Sequence, residues 1–150
     1  MKAITLWQPW ASLCFVRDPV TKLYLKTIET RTHDRFKSLV GQRFAIHAGK
    51  QWHKEGAAEA IRWLMRTHDW PALRAAELIR TCKTPVGAVV GTVKGAGARW
   101  LSHADSGRAL CDCTPERHLF GLVLSEQEKL DTPRLVLGKQ GLWTLDEEVA

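Results

Sequence analysis

Short apolar stretches of the strand type, with one main helical excursion between them, constrain the fold of this chain most strongly. The clearest is residues 85–93, which are rich in valine and carry glycines where a barrel strand can bend. The other predicted strands cover residues 3–7, 24–30, 42–47, 118–124 and 142–145. This arrangement predicts an α+β fold in which a mixed, mainly antiparallel sheet curls into a small β-barrel with flanking helices.

Three segments are predicted to be helical. Residues 51–67 repeat apolar side chains every three or four positions, and residues 71–80 begin at Pro71, where the missing amide proton is harmless. A short helix is predicted for residues 10–16, after Pro9. We expect Trp63 and Trp70 to pack the helices. Residues 94–117 have few periodic apolar positions and predict a long loop or lid that carries Trp100, and a loop with Pro133 and Gly138 precedes the last strand.

Length and composition indicate an ordinary globular protein. The 150 residues, with 45% hydrophobic and 25% charged side chains, match the size of one domain, so we expect a single domain over residues 1–150. The first ten residues lack the apolar run of a signal peptide, and no stretch reaches the ~18 apolar residues of a membrane span. We therefore expect a cytoplasmic monomer that does not bind membranes.

The cysteines and the net charge bear on cofactors and partners. The four cysteines do not form a disulfide framework, and the Cys111-Asp112-Cys113 step lacks the spacing of a zinc site, so we predict reduced thiols, no metal and no cofactor. A formal net charge of +6 favours polyanionic partners, because Lys and Arg side chains release counterions when they neutralise phosphates.

Three sequence blocks together resemble the ASCH family, whose members are similar to PUA RNA-binding barrels. The first is residues 4–13, with Trp7, Gln8, Pro9 and Trp10; the second is residues 26–31, with Lys26, Glu29 and Arg31, followed by His47 in residues 45–48; the third is residues 138–143, with Gln140 and Trp143. These blocks occur in the family's order along nearly the whole chain. The resemblance implies the PUA-like barrel and a cleft formed by these residues.

The same residues provide what a nucleobase site requires. Trp7 and Trp10 flank Gln8-Pro9, and stacking of a base on such a ring is worth about 1–3 kcal/mol. Gln8 has an amide that could read a base edge. Glu29 and Arg31 lie two residues apart and share one face of a strand, whereas Lys26 joins them only from the turn before the strand or beside a bulge.

Candidate functions follow from this cleft. The first is recognition of RNA or a nucleotide, with Lys26 and Arg31 on phosphate, a Trp-lined basic cleft around the base, and His47, Gln140, Pro9 and Trp143 as further ligand-binding residues. The alternative is an enzyme, because some small ASCH proteins are amidohydrolases that deacylate N4-acylated cytidine with a lysine, a threonine and a glutamate.

Lys26 matches the family's lysine, but Glu29 occupies the position of the threonine nucleophile. This substitution favours attack by water, with Glu29 or Lys26 as the general base. A metal-independent ribonuclease that uses Lys26 and His47 is a further possibility, as is a structural role in partner binding. The sequence does not choose between these functions.

Overall fold

The computed structural model describes residues 1–146. Its elements, in chain order, are β1 (Lys2–Gln8), α1 (Trp10–Leu13), β2 (Ile28–Arg31), β3 (Arg43–Trp52), α2 (Lys54–His68), α3 (Ala72–Thr81), β4 (Ala88–Trp100), α4 (Ser106–Ala109), β5 (Phe120–Leu135) and β6 (Leu142–Thr144). Three 3-10 helices lie at Arg35–Leu39, His103–Asp105 and Pro115–Arg117.

The six strands form one mixed sheet in the order β2-β5-β4-β3-β1-β6, which curls into a half-barrel flanked by helices. Only β1 and β3 pair in parallel among the described strands; every other pairing is antiparallel. Three register shifts interrupt the long pairing of β4 with β5, and such bulges bend strands and increase their twist. The prediction of an α+β, mainly antiparallel PUA-like barrel is confirmed.

Two apolar clusters hold the helices and the sheet together. One joins the sheet to α1 and the first 3-10 helix through buried side chains that include Leu6, Phe36, Phe44 and Ile46. The other fixes α2 and α3 to each other, with Trp70 buried in it and Trp63 packed against it, as predicted. The bounds of both helices agree with the predicted ranges to within three residues. None of the helices in residues 1–146 is both long and apolar enough to cross a membrane.

Residues 94–117 do not form the predicted long loop. Strand β4 continues to Trp100, and the remainder forms α4 and short 3-10 helices. Trp100 is not on a lid: its ring stacks on His118 with the centroids 4.3 Å apart. The small residues of this segment hid the strand, because glycine and alanine give no alternating apolar signal.

Two strand boundaries also differ from the prediction. Strand β2 begins at Ile28, after a small hairpin in which Arg17 bridges Tyr24. Strand β5 continues to Leu135 and includes Pro133, which we placed in a loop. Proline is tolerated where a strand does not need its amide proton for the ladder.

Candidate functional site

The main cavity lies beside the edge strand β2 and has a volume of about 570 Å³. This volume falls within the range of about 300–1,000 Å³ that is usual for sites of small ligands. Its lining comes from β1, α1, β2, α2 and the segment before β5. It includes aromatic, charged and thiol side chains, among them Trp7, Trp10, Glu29, Arg31, His53, Glu59, Cys111 and Arg117.

An aromatic wall of Trp7, Trp10 and His53 forms one part of the main cavity. The ring of His53 lies 5.8 Å from the ring of Trp7 and 6.2 Å from that of Trp10, measured between centroids, and its Nδ1 accepts a hydrogen bond of 2.9 Å from Trp10 Nε1. A Cβ atom on Gly56 would overlap both His53 and Trp10, so glycine lets helix α2 start against these rings. Trp7 remains 46% exposed and presents its ring to solvent.

A cluster of three charged side chains adjoins the main cavity, and two of them, Glu29 and Arg31, line it. Glu29, whose side chain is 5% exposed, pairs with Lys26 at 3.5 Å and with Arg31 at 3.4 Å. Lys26 lies in the turn before β2, the position from which it was expected to reach Glu29. The guanidinium of Arg31 also packs 4.9 Å over the ring of Phe36. The chain therefore brings the three charged residues of the second sequence block together.

Lys26 itself does not line the main cavity. Its side chain is 1% exposed, and Nζ donates hydrogen bonds to the carbonyl oxygens of Ile28 at 2.5 Å and Ala109 at 3.1 Å. The same ammonium lies 4.9 Å from the ring centroid of Trp10. Because its three protons are directed at these two carbonyls and Glu29, Lys26 positions the Glu29 carboxylate from behind and does not reach a ligand.

The second ion pair of the main cavity joins Glu59 of helix α2 to Arg117. The pair is bidentate, with N–O distances of 2.5 and 3.2 Å, and Arg117 also donates a hydrogen bond to the carbonyl oxygen of Asp112. With Glu55, the lining contains three carboxylates and two guanidinium groups. The expected basic character of the cleft is therefore wrong for this cavity, because the excess positive charge of the chain lies elsewhere.

Cys111 provides a thiol to the main cavity. A hydrogen bond from the neighbouring Cys113 thiol lowers the pKa of Cys111 against the opposing effect of burial, and the Lys26 ammonium lowers it further. The same pairing raises the pKa of Cys113. Burial raises the pKa of Cys14 to about 12 and that of Cys82 to about 11. Cys111 is thus the cysteine most prone to form a thiolate.

Two of the predicted ligand-binding residues, His47 and Gln140, lie instead in a second cavity of about 540 Å³. His47 Nε2 donates a hydrogen bond to the Val136 carbonyl oxygen at 2.8 Å, and Nδ1 lies 3.3 Å from Thr5 Oγ1. Burial lowers the pKa of His47, although the hydrogen bond to Val136 opposes this shift. The histidine therefore fastens the loop before β6 to strand β3. Gln140 is exposed at the rim.

The remaining candidates, Gln8, Pro9 and Trp143, are buried within the protein. Gln8 is 1% exposed; its amide nitrogen donates to the Pro85 carbonyl oxygen and to Ser12 Oγ, and its amide oxygen accepts from the Ser12 backbone. These bonds leave Gln8 unable to read a base edge. Trp143 packs edge-on against His47 and donates a hydrogen bond to Thr5 Oγ1. Neither cavity is lined by Gln8, Pro9 or Trp143.

His53, Glu59, Cys111 and Arg117 also line the main cavity and were not predicted as site residues from the sequence. Glu55 and Glu59 are spaced by four on α2, a pattern that puts them on one polar helix face and could have marked a site. Arg117 and Cys111 lie at the cavity only because of the tertiary fold. No local sequence pattern indicates that they are site residues. Within residues 1–146, no group of three or more His, Cys, Asp or Glu side chains is arranged to hold a metal ion.

The fold and cavity define a small α+β half-barrel domain with a ligand-sized cavity at one sheet edge. No family model and no curated protein matches the chain. Its structure is similar to that of an ASCH protein from Zymomonas mobilis (TM-score 0.55, 13% identity, 97% of this chain and 87% of that chain covered). It is also similar to a mutant form of that protein (TM-score 0.53, 14% identity, 97% and 88% covered). The resemblance to ASCH domains is confirmed at the level of the fold.

Proposed function

We propose that the main cavity binds a nucleobase that belongs to RNA or a nucleotide. The observation that carries this proposal is the combination, in one cavity, of the aromatic wall with the Glu29–Arg31 ion pair. A base requires a flat apolar surface for its face and a few fixed donors and acceptors for its edge. The exposed ring of Trp7 provides the former, and the carboxylate and guanidinium groups provide the latter.

The charged pairs favour a base with an exocyclic amino group, and cytosine in particular. A carboxylate accepts a hydrogen bond from the N4 amino group of cytosine, and a guanidinium donates to the ring nitrogen or the carbonyl oxygen. Uracil has a carbonyl where cytosine has the amino group, so it would meet Glu29 with two acceptors facing each other. Cytosine should therefore bind more tightly than uracil.

Titration calorimetry with cytidine and uridine tests this function. We expect cytidine to bind and uridine to bind much more weakly, and Glu29→Gln to reduce this preference because the amide can also donate. Trp7→Ala should weaken cytidine binding by about 1–3 kcal/mol, the usual value of stacking one base. Trp100→Ala is the matched control, because Trp100 is 50% exposed but does not line the main cavity. Absence of binding by nucleosides and by short RNAs would falsify the proposal.

The ion pair between Lys26 and Glu29 favours a second candidate, the hydrolysis of N4-acylated cytidine. Glu29 is the group that touches the cavity, so it would act as the general base for attacking water, and Lys26 would hold it in place. Incubation with N4-acetylcytidine and short RNAs, followed by chromatography, tests this candidate and the ribonuclease alternative together. Glu29→Gln should abolish any release of cytidine. Intact substrates that still bind would leave a recognition domain.

A further inference from the structure

The second cavity adjoins the main cavity, and the two share Thr5 and Trp7 in their linings. The Trp7 ring stands where they meet and is 46% exposed. Gly49, on the neighbouring strand β3, leaves the side of this ring open, because a Cβ there would lie 3.7 Å from Trp7 Cδ1. The two cavities therefore meet at Thr5 and Trp7, and no side chain at position 49 covers this flank of the ring.

In the described part of the chain, the main cavity is lined by charges of both signs, whereas the second cavity is lined only by positive charges. The main cavity contains three carboxylates and two guanidinium groups, whereas Lys50 and Lys139 are the only Lys, Arg, Asp or Glu side chains among the described residues that line the second. Both lysines are exposed. Among residues 1–146, neither forms an ion pair within 4.0 Å. Their charges are thus available to an anion.

The second cavity also offers apolar area beside the lysines. Leu135, the last residue of β5, and Leu137, two residues later, are 80% and 84% exposed and line this cavity. A nucleotide suits both the lysines and the leucines. Its phosphate carries the negative charge, and its ribose and base have apolar faces. A free anion would use only the lysines, and an uncharged apolar ligand would use only the leucines.

We infer that the second cavity is a subsite for the phosphate and the adjoining nucleotide of a single strand whose base occupies the main cavity. This inference rests on the proposed function and extends it. It makes the ligand a single-stranded oligonucleotide of at least two nucleotides. The main cavity, in which ion pairs compensate Glu29 and Glu59, takes the base, and the backbone passes Trp7 to reach Lys50 and Lys139.

Binding measurements with a graded set of ligands test the inference. The set comprises cytidine, its 3′- and 5′-monophosphates, and the dinucleotides that extend cytidine on either side. We expect one of the two phosphate positions, and the dinucleotide built on it, to increase affinity over cytidine. This gain should amount to about fivefold for each lysine, from the attraction of two unit charges ~4 Å apart in water. The affinity of that ligand should fall with salt, and that of cytidine should not.

The double variant Lys50→Gln/Lys139→Gln should lose this gain and still bind cytidine as the wild type does. The matched control is Lys37→Gln/Lys129→Gln, which removes the same charge from exposed lysines that line neither cavity. The control variant should keep the gain, which separates a local contact from the effect of net charge.

The outcomes distinguish the two proposals. If neither cytidine nor any of its nucleotides binds, the proposed function itself fails. If cytidine binds and neither phosphate improves its affinity, or if both double variants reduce the affinity equally, the subsite is overturned and nucleobase binding in the main cavity stands.

Discussion

At the scale of single residues, Lys26 is the residue whose assignment the structure changes most. The lysine was a candidate catalytic group, but its ammonium is buried and directed at two carbonyl oxygens and Glu29. Removal of one member of a buried ion pair leaves the other charge without compensation and costs about 3–5 kcal/mol. A Lys26 variant could therefore lose activity because the folded protein is destabilised, and such a loss would not by itself show that Lys26 takes part in a reaction.

We predict that Lys26→Met lowers the free energy of unfolding by about 3–5 kcal/mol, measured by urea denaturation. Addition of Glu29→Gln should restore part of the loss, because it removes a buried carboxylate that only Arg31 would then compensate. The double variant should remain less stable than the wild type, since two carbonyl oxygens have lost their donor. A Lys26→Met protein as stable as the wild type would contradict the positioning role.

The cysteines give a second prediction at this scale. Because the Cys113 thiol and the Lys26 ammonium lower the pKa of Cys111, its thiolate forms at a lower pH than those of the other three thiols. Iodoacetamide should modify Cys111 first, at a rate that rises with pH until the thiol is fully ionised. Mass spectrometry of peptides from a time course checks this order.

A ligand in the main cavity should protect Cys111, which lines it, and should leave the modification of Cys14 and Cys82 unchanged. Cys111→Ser is the control that identifies the modified peptide. Equal labelling of all four cysteines under native conditions would contradict the prediction.

At the scale of elements, two glycines of β4 show where the sheet packs too closely against another segment to admit a side chain. Gly95 pairs with the segment after the first 3-10 helix, and a Cβ there would overlap the carbonyl oxygen of Leu39. Two residues further along the same strand, a Cβ on Gly97 would meet nothing within 4 Å. Of these two glycines, only Gly95 is required by packing.

We therefore predict that Gly95→Ala lowers the free energy of unfolding by about 1–3 kcal/mol, the usual cost of overpacking. Gly97→Ala should change stability little or increase it slightly, because alanine restricts the unfolded chain more than glycine does. Thermal denaturation of the two variants, side by side, measures the difference. Equal effects of the two substitutions would show that the backbone at Leu39 can move to admit the new Cβ atom without lowering the free energy of unfolding.

The elements also show which parts of the fold could be predicted from the sequence. The helices α2 and α3 were predictable because their apolar positions repeat at helical spacing, and β1 and β3 because each contains large or β-branched apolar residues, such as Ile4 and Phe44. Residues 94–100 were not, because Gly95, Gly97 and the neighbouring alanines extend β4 without an apolar pattern. Residues of this kind pair through their backbones, and only the tertiary structure reveals the partner strand.

Some residues of the candidate site could likewise be predicted from the sequence and others could not. Trp7, Trp10, Glu29 and Arg31 were predicted and do meet in the main cavity, although β1 and β2 are not neighbours in the sheet. Arg117 could not be predicted, since its partner Glu59 lies 58 positions away in the chain. It could also not be predicted that His47 and Gln140 line a second cavity. Their location depends on the side of Trp7 on which β3 and the loop before β6 lie.

At the scale of the whole molecule, polar contacts between distant segments make stability depend on pH in one direction. Backbone amide bonds led by that from Val20 lower the pKa of Asp18, the Arg99 guanidinium lowers that of Asp105, and the Trp63 indole lowers that of Asp112. Asp18 also joins His68 of α2, and Asp112 joins the segment before β5 to the same helix. These carboxylates thus connect loops to α2 and to β4.

The sign of the dependence follows from linkage. Each carboxyl has a lower pKa in the folded protein than in the unfolded chain, so its contribution to stability is complete above the unfolded pKa of about 3.9 and is lost as pH falls through the folded pKa. Burial also lowers the pKa of His47, so the unfolded chain takes up that proton first as pH falls through about 6.5. All four groups destabilise the folded protein on acidification.

We predict that the free energy of unfolding is constant from pH 8 to about pH 7, declines modestly below about pH 6.5, and falls steeply below about pH 4. Urea denaturation at a series of pH values measures this curve. Asp105→Asn should lower stability near neutral pH by about 1–3 kcal/mol, because it removes a charged hydrogen-bond acceptor from Arg99. The difference from the wild type should shrink as pH falls below about 4, where the unfolded chain's carboxyls are protonated. A difference that stays constant down to pH 2 would show that Asp105 acts through packing and not through its charge.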